Sequence, residues 1–177
     1  MEDRDVATSE VDVKISVRTT WVMELYQFDG PGGYAVPARR DIVRNLTPNL
    51  GSNWLASRIG SAHNGGSTAS AMLYMAIGTG TAALSVTNTM LAGEVRRREF
   101  AVNEITSTNV WHVVNTWGGS TDSIASVDLR EAGTFNQSGL TTPTVSGTMF
   151  QRVSYSSVVL ANSDILRLEI FSEVGTR

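Results

Sequence analysis

Val11-Asp12-Val13-Lys14-Ile15-Ser16-Val17-Arg18 alternates apolar and polar residues without a fault. Val11, Val13, Ile15 and Val17 share one face, and Asp12, Lys14, Ser16 and Arg18 share the other. That period of two belongs to a strand with one side buried. The next run, Trp21-Val22-Met23-Glu24-Leu25-Tyr26-Gln27-Phe28, is equally strand-like in residue type. Asp29-Gly30-Pro31-Gly32-Gly33 then breaks it, because glycine and proline supply turn dihedrals and interrupt a ladder. The start of the chain reads as a polar tail followed by a hairpin-like arm.

Working outward, the same punctuation recurs. Strand candidates are 71–77, 95–105, 109–117, 123–129, 148–160 and 165–171, separated by Gly78-Thr79-Gly80, Gly118-Gly119, Asn136-Gln137-Ser138-Gly139 and Asn162-Ser163-Asp164. One helix is expected over 48–59. Thr47 caps it, Pro48 takes the first position, and Leu50, Trp54, Leu55 and Ile59 line one face. Residues 86–93 have a second, shorter helical look. The expected fold is mainly β, an antiparallel β-sandwich or barrel-like sheet with one short helix and an extended N-terminal β arm. Residues 1–44 are assigned to arm and loop, and residues 45–177 to the sandwich domain.

Composition narrows the function classes. The 177 residues are 41% hydrophobic and carry 14 basic against 17 acidic side chains, a formal charge of −3. A core of that size excludes wholesale disorder, and the mild acidity argues against direct nucleic-acid contact. There is no cysteine, so disulfides and thiolate-zinc sites are excluded. The longest apolar run, Ala71–Ile77, is too short to span a bilayer, so no membrane partner is expected. The opening Met1-Glu2-Asp3-Arg4-Asp5 lacks the basic start and apolar core of a secretory signal.

Chemistry-bearing motifs are few. Gly78-Thr79-Gly80-Thr81-Ala82-Ala83 satisfies a dinucleotide fingerprint in letters only. The β-branched residues after it make a poor helix, and a pyrophosphate site needs a helix N-terminus there. We read it as a turn and expect no cofactor. His63 and His112 are the two histidines, without local metal-ligand spacing, so no metal site is expected. Glu94, Glu99, Glu104, Asp128 and Glu131 read as scattered acids, none in an apolar pocket. No catalytic residue is assigned, and the chain reads as a non-enzyme.

Thirteen of the 14 basic residues are arginine, clustered at Arg39, Arg40 and Arg44 and at Arg96-Arg97-Arg98. On a strand, Arg96 and Arg98 point one way and Arg97 the other. Arginine forks suit carboxylate pairing at interfaces. Candidate interface residues are therefore Val11, Val13, Ile15, Val17, Trp21, Arg39, Arg40, Arg44, Arg96 and Arg98. An arm of this kind can add a strand to a neighbouring subunit, and its removal is expected to leave a folded remainder.

Four stretches together resemble a group of small tailed-bacteriophage virion structural proteins. They are Asn45-Leu46 with the helix after it, Tyr74-Met75-Ala76-Ile77-Gly78-Thr79-Gly80-Thr81 continuing to Val95, Leu129–Asn136, and Gly147–Val153. The third is similar to that group's "EAGLFN" turn. Leu84 stands where the group has proline, and Asn88 where it has aspartate. The matching order runs from about Asn45 to Phe171. The resemblance implies a non-enzymatic virion component, a capsid decoration (cement) protein on the outer capsid surface that bridges major capsid protein capsomers, working as a homotrimer. A tail-collar or fibre-attachment subunit is the alternative, and a host-surface carbohydrate-binding module comes third.

Overall fold

The computed structural model describes residues 15–176 except 29, 31, 32, 34, 35, 50, 54, 56–70, 108, 139, 142, 143 and 146. Two antiparallel sheets face each other and do not close into a barrel. The first has five strands in the order β2 (Arg39–Arg44), β1 (Ile15–Tyr26), β11 (Ile165–Thr176), β6 (Val110–Gly118) and β5 (Val102–Ser107). The second runs β10 (Met149–Val159), β7 (Asp128–Phe135), β3 (Tyr74–Gly78) and β4 (Glu94–Glu99). A two-stranded ribbon, β8 (Leu140–Thr141) with β9 (Thr144–Val145), stands apart from both. The helix after Pro48 is seen at Asn49, residues 51–53 and Leu55. Among the described residues no helix is long and apolar enough to cross a membrane.

The core follows from alternation. Trp21 and Met23 of β1, Val113 and Trp117 of β6, and Leu166, Leu168 and Ile170 of β11 point inward from the first sheet. Met75 and Ile77 of β3, Ala132 of β7 and Val153 of β10 meet them from the second. This is the alternate-residue packing that two stacked sheets require.

Several boundaries differ from the sequence reading. The sandwich already includes strands within residues 15–44, so it does not start at residue 45. β1 lies inside the first sheet, paired with β11 from Ile15↔Thr176 to Tyr26↔Ile165 and with β2 from Thr20↔Arg44 to Leu25↔Arg39. Trp21 is only 1% exposed. A two-stranded arm could not bury that indole; a central strand can. The expected single strand 95–105 is two strands in different sheets. At the corner, Phe100 donates its N–H to Leu73 O and Ala101 donates to Val114 O. The Phe100 ring packs edge-on against Trp111, centroids 5.8 Å apart, and this anchors the change of sheet.

The strand expected at 123–129 starts only at Asp128. Ser123 and Ser126 have φ of 56° and 63°, a left-handed conformation that interrupts a ladder. Leu129–Phe135 is therefore strand, not turn. Residues 86–93 form no helix; Asn88 N–H bonds Ser85 O in a turn.

Because β1 carries β2 on one side and β11 on the other, residues 1–28 are not separable. A chain lacking them should fail to melt cooperatively by circular dichroism. Trp21→Ala should stay folded but lose about 3–5 kcal/mol in urea unfolding, the usual range for truncating a buried aromatic. A cooperative transition in the deleted chain would return the boundary to residue 45.

Candidate functional site

The outer face of the second sheet carries a charged pair that is fully covered. Glu131 on β7 and Arg152 on β10 are 0% and 1% exposed. Arg152 Nε and Nη2 donate to Glu131 Oε2 at 3.0 and 2.7 Å. The chain from Thr79 to Gly93 crosses above them. Glu131 Oε1 accepts the N–H of Gly80 at 3.0 Å and of Gly93 at 2.7 Å, and Oε2 accepts that of Ala92 at 3.2 Å. Arg152 Nη1 reaches Asn88 Oδ1 at 2.6 Å, and Nη2 also donates to Ala82 O at 3.2 Å. On the backbone, Arg152 and Leu46 exchange both N–H···O bonds at 3.0 Å. Ala76, Leu91, Phe135 and Met149 form a second small core beside the pair.

The glycines of the GTG motif are explained by close approach. A Cβ on Gly80 would overlap Glu131 Oε1, and one on Gly78 would overlap the Gly93 carbonyl. No helix follows the motif, so it lacks the element that would meet a pyrophosphate. The sequence reading placed Glu131 among scattered acids, and here it is corrected: this carboxylate accepts five hydrogen bonds in a closed pocket. The available signal was weak: Glu131 stands beside Arg130 and ahead of the small residues Ala132-Gly133, and Arg152 lies between Gln151 and Val153 in an otherwise uncharged strand.

The candidate interface residues do not come together. Val11 and Val13 lie outside the described residues. Ile15 is placed by its backbone, opposite Thr176. Val17 is half-buried at an apolar groove of about 440 Å³ lined also by Met72, Ile105, Trp111, Phe150 and Val174. Trp21 is in the core, which corrects its assignment as a candidate interface residue. Arg44 pairs with Thr20 at the end of β2. Arg39, on the same strand, reaches across to the second sheet, where Nη1 donates to Ser157 O at 2.9 Å. Arg40 is 57% exposed and pairs with Glu24 at 3.3 Å.

Arg96 and Arg98 turn to one side, as the strand period requires, and both are tied within the chain. Arg96 Nε donates to Asp122 O at 2.7 Å; Arg98 pairs with the Asp122 carboxylate and donates to Thr116 O at 2.8 Å. Burial holds the Arg98 guanidinium below its ordinary pKa. Arg97 points the other way and is fully covered, paired with Glu94 at 2.6 Å and stacked 3.6 Å over the Phe135 ring. These forks brace the sandwich from within.

The outer face of the first sheet carries a charge row from strand to strand. Arg167 Nη1 donates to Glu24 at 2.8 Å and to Glu169 at 2.9 Å. Burial acts to raise the Glu24 carboxyl, but hydrogen bonds from Arg167 and Tyr26, with the charges of Arg167 and Arg40, hold it below the usual carboxylate range. The stability this carboxylate contributes is therefore present above its unfolded pKa and lost as pH falls through the folded one. His112 lies flat on Phe171, centroids 4.5 Å apart, with Nδ1 2.9 Å from Glu104 and Nε2 2.8 Å from Glu169. His63 lies outside the described residues. Among the described residues no group of three or more His, Asp or Glu is arranged to hold a metal ion. The chain matches no family model, no curated protein and no solved structure.

Arg152→Met should be the most damaging single change on the second sheet, because it leaves the Glu131 carboxylate buried without its countercharge. Breaking such a pair from one side costs about 3–5 kcal/mol. Asn88→Ala, which removes one hydrogen bond to a charged group, should cost less, about 1.5–3 kcal/mol. Urea titrations followed by tryptophan fluorescence would rank the two, and equal or reversed losses would contradict the assignment.

Proposed function

We propose that this chain is a non-enzymatic structural protein of a tailed-bacteriophage virion, and specifically a capsid decoration protein. In this reading it sits on the outer capsid surface as a homotrimer and bridges capsomers of the major capsid protein. The observation that supports it is spatial. The four stretches that carry the family resemblance are far apart in sequence, yet all four touch the Glu131–Arg152 pair. Leu46 pairs with the Arg152 backbone, Gly80 and Asn88 bond its two members, and the pair itself belongs to the third and fourth stretches. A chance likeness in four short strings has no reason to converge on one contact. A shared fold does.

Physical considerations favour the head over the tail. A small two-sheet body with no heptad or collagen-like segment is not a fibre shaft. A protein that binds the assembled shell and not its separated subunits stabilises the shell by linkage, and symmetric sites on a shell suit a symmetric oligomer.

Quantitative mass spectrometry of purified particles tests the reading. A copy number of the same order as the major capsid protein is expected. A small fraction of that number would move the chain to a tail-collar or fibre-attachment position, and absence from particles would end the virion reading.

A further inference from the structure

One flank of the sandwich is closed by the β4–β5 corner. Among the described residues the opposite flank is open, because β2 ends the first sheet and β10 ends the second. Between these edges runs a slot of about 670 Å³ walled by Arg39–Val43 and by Ser154–Ser156. It has defined ends. The double bond between Leu46 and Arg152 closes one, and the reach of Arg39 to Ser157 O closes the other. No described strand covers the free edge of β2, and Ile42 in its middle is 68% exposed. An unpaired edge beside exposed apolar surface is a template for an added strand.

The chain contains a strand of matching character. Glu10-Val11-Asp12-Val13-Lys14 continues the alternation of β1 and lies outside the described residues. Its own slot is out of reach. The partner of Arg44, the last residue of β2, is Thr20, so Ile15 lies five residues beyond the slot, about 17 Å at ~3.3 Å per residue. Five residues joined to Ile15 can at most reach the end of the slot and cannot lie along it. Charge is compatible: residues 1–14 hold five acids and two bases, and at the slot Arg39 is paired with Asp41 while Arg40, paired with Glu24, keeps a 57% exposed side chain.

We propose that the β2–β10 slot receives residues 10–14 of a second copy of this chain as an added edge strand. Val11 and Val13 then lie toward the sandwich interior beside Val43, with Glu10 and Asp12 on the side of Arg40. The exchange joins copies into an oligomer. It stands on the strand edges alone, so it succeeds or fails independently of any role in a virion.

The absence of cysteine makes the test clean. Full-length Asp12→Cys and Ile42→Cys proteins, whose side chains fall on the same face in the proposed pairing, are mixed, without particles, and treated with a short bifunctional maleimide. The expected product is a mixed dimer formed several-fold more than from Asp12→Cys with Val86→Cys, an exposed position on the loop over the other sheet. Sedimentation should show the parent as an oligomer and Val11→Asp/Val13→Asp as a folded monomer with an unchanged melting curve. Equal cross-linking at positions 42 and 86, a monomeric parent, or an oligomer that survives both aspartates would overturn the proposal.

Discussion

A carboxylate and a guanidinium sealed under a loop dominate the second sheet of this protein. Each ion alone would be intolerable without water, and their mutual attraction offsets that cost only when the remaining hydrogen-bonding sites are also filled. Glu131 meets the condition with three backbone N–H groups, and Arg152 with Asn88 and a carbonyl. The loop is therefore not free to take another course. Moving it strands charges, so residues 79–93 are ordered without helix or strand. Leu91, Phe135 and Met149 can then pack under the loop as a third layer.

The two sheets are joined by contrasting means. Inside, the contact is mostly apolar, with polar bridges where Gln151 Nε2 donates to Thr19 and Ser172 hydroxyls at 2.9 and 3.0 Å and Asn115 Nδ2 donates to Glu99 O at 3.0 Å. At the rim, Arg96 and Arg98 of the second sheet's edge strand reach the turn after β6. An arginine side chain is long enough to span the gap between layers and keep its planar head hydrogen-bonded, which a lysine does less well. That accounts for a chain whose cations are almost all arginine.

What the sequence disclosed was decided by distance along the chain. Alternation at Val11–Val17 and the turn residues between later runs reveal strands and a mainly β sandwich, because both are local properties. Alternation cannot say which strand lies beside which. β1 was legible as a strand and illegible as an interior strand of a sheet, because its neighbour β11 is some 150 residues away. The change of sheet at Phe100-Ala101 leaves no glycine or proline signal; an aromatic contact makes it. Glu131 read as one acid among several beside Arg130, and Arg152 drew no notice beside Gln151, because only folding brings two strands and a distant loop to one point. Arg96 and Arg98 misled for the same reason: the Asp122 and Thr116 carbonyls and the Asp122 carboxylate that they satisfy come from β6 and the turn after it.

The position of β11 has a consequence for the order in which the molecule is made. This strand, the last of the described elements, lies between β1 and β6 and is the sole ladder joining the β1–β2 hairpin to the β5–β6 hairpin. On a ribosome both hairpins emerge first and must wait with their inner edges bare. Contacts this far apart close slowly, and bare edges in the interval invite mispairing between nascent chains. Completion of the five-stranded sheet is thus a late, single event: residues 165–176 arrive and zip two waiting halves together, so the first sheet is completed only after synthesis has passed its final strand.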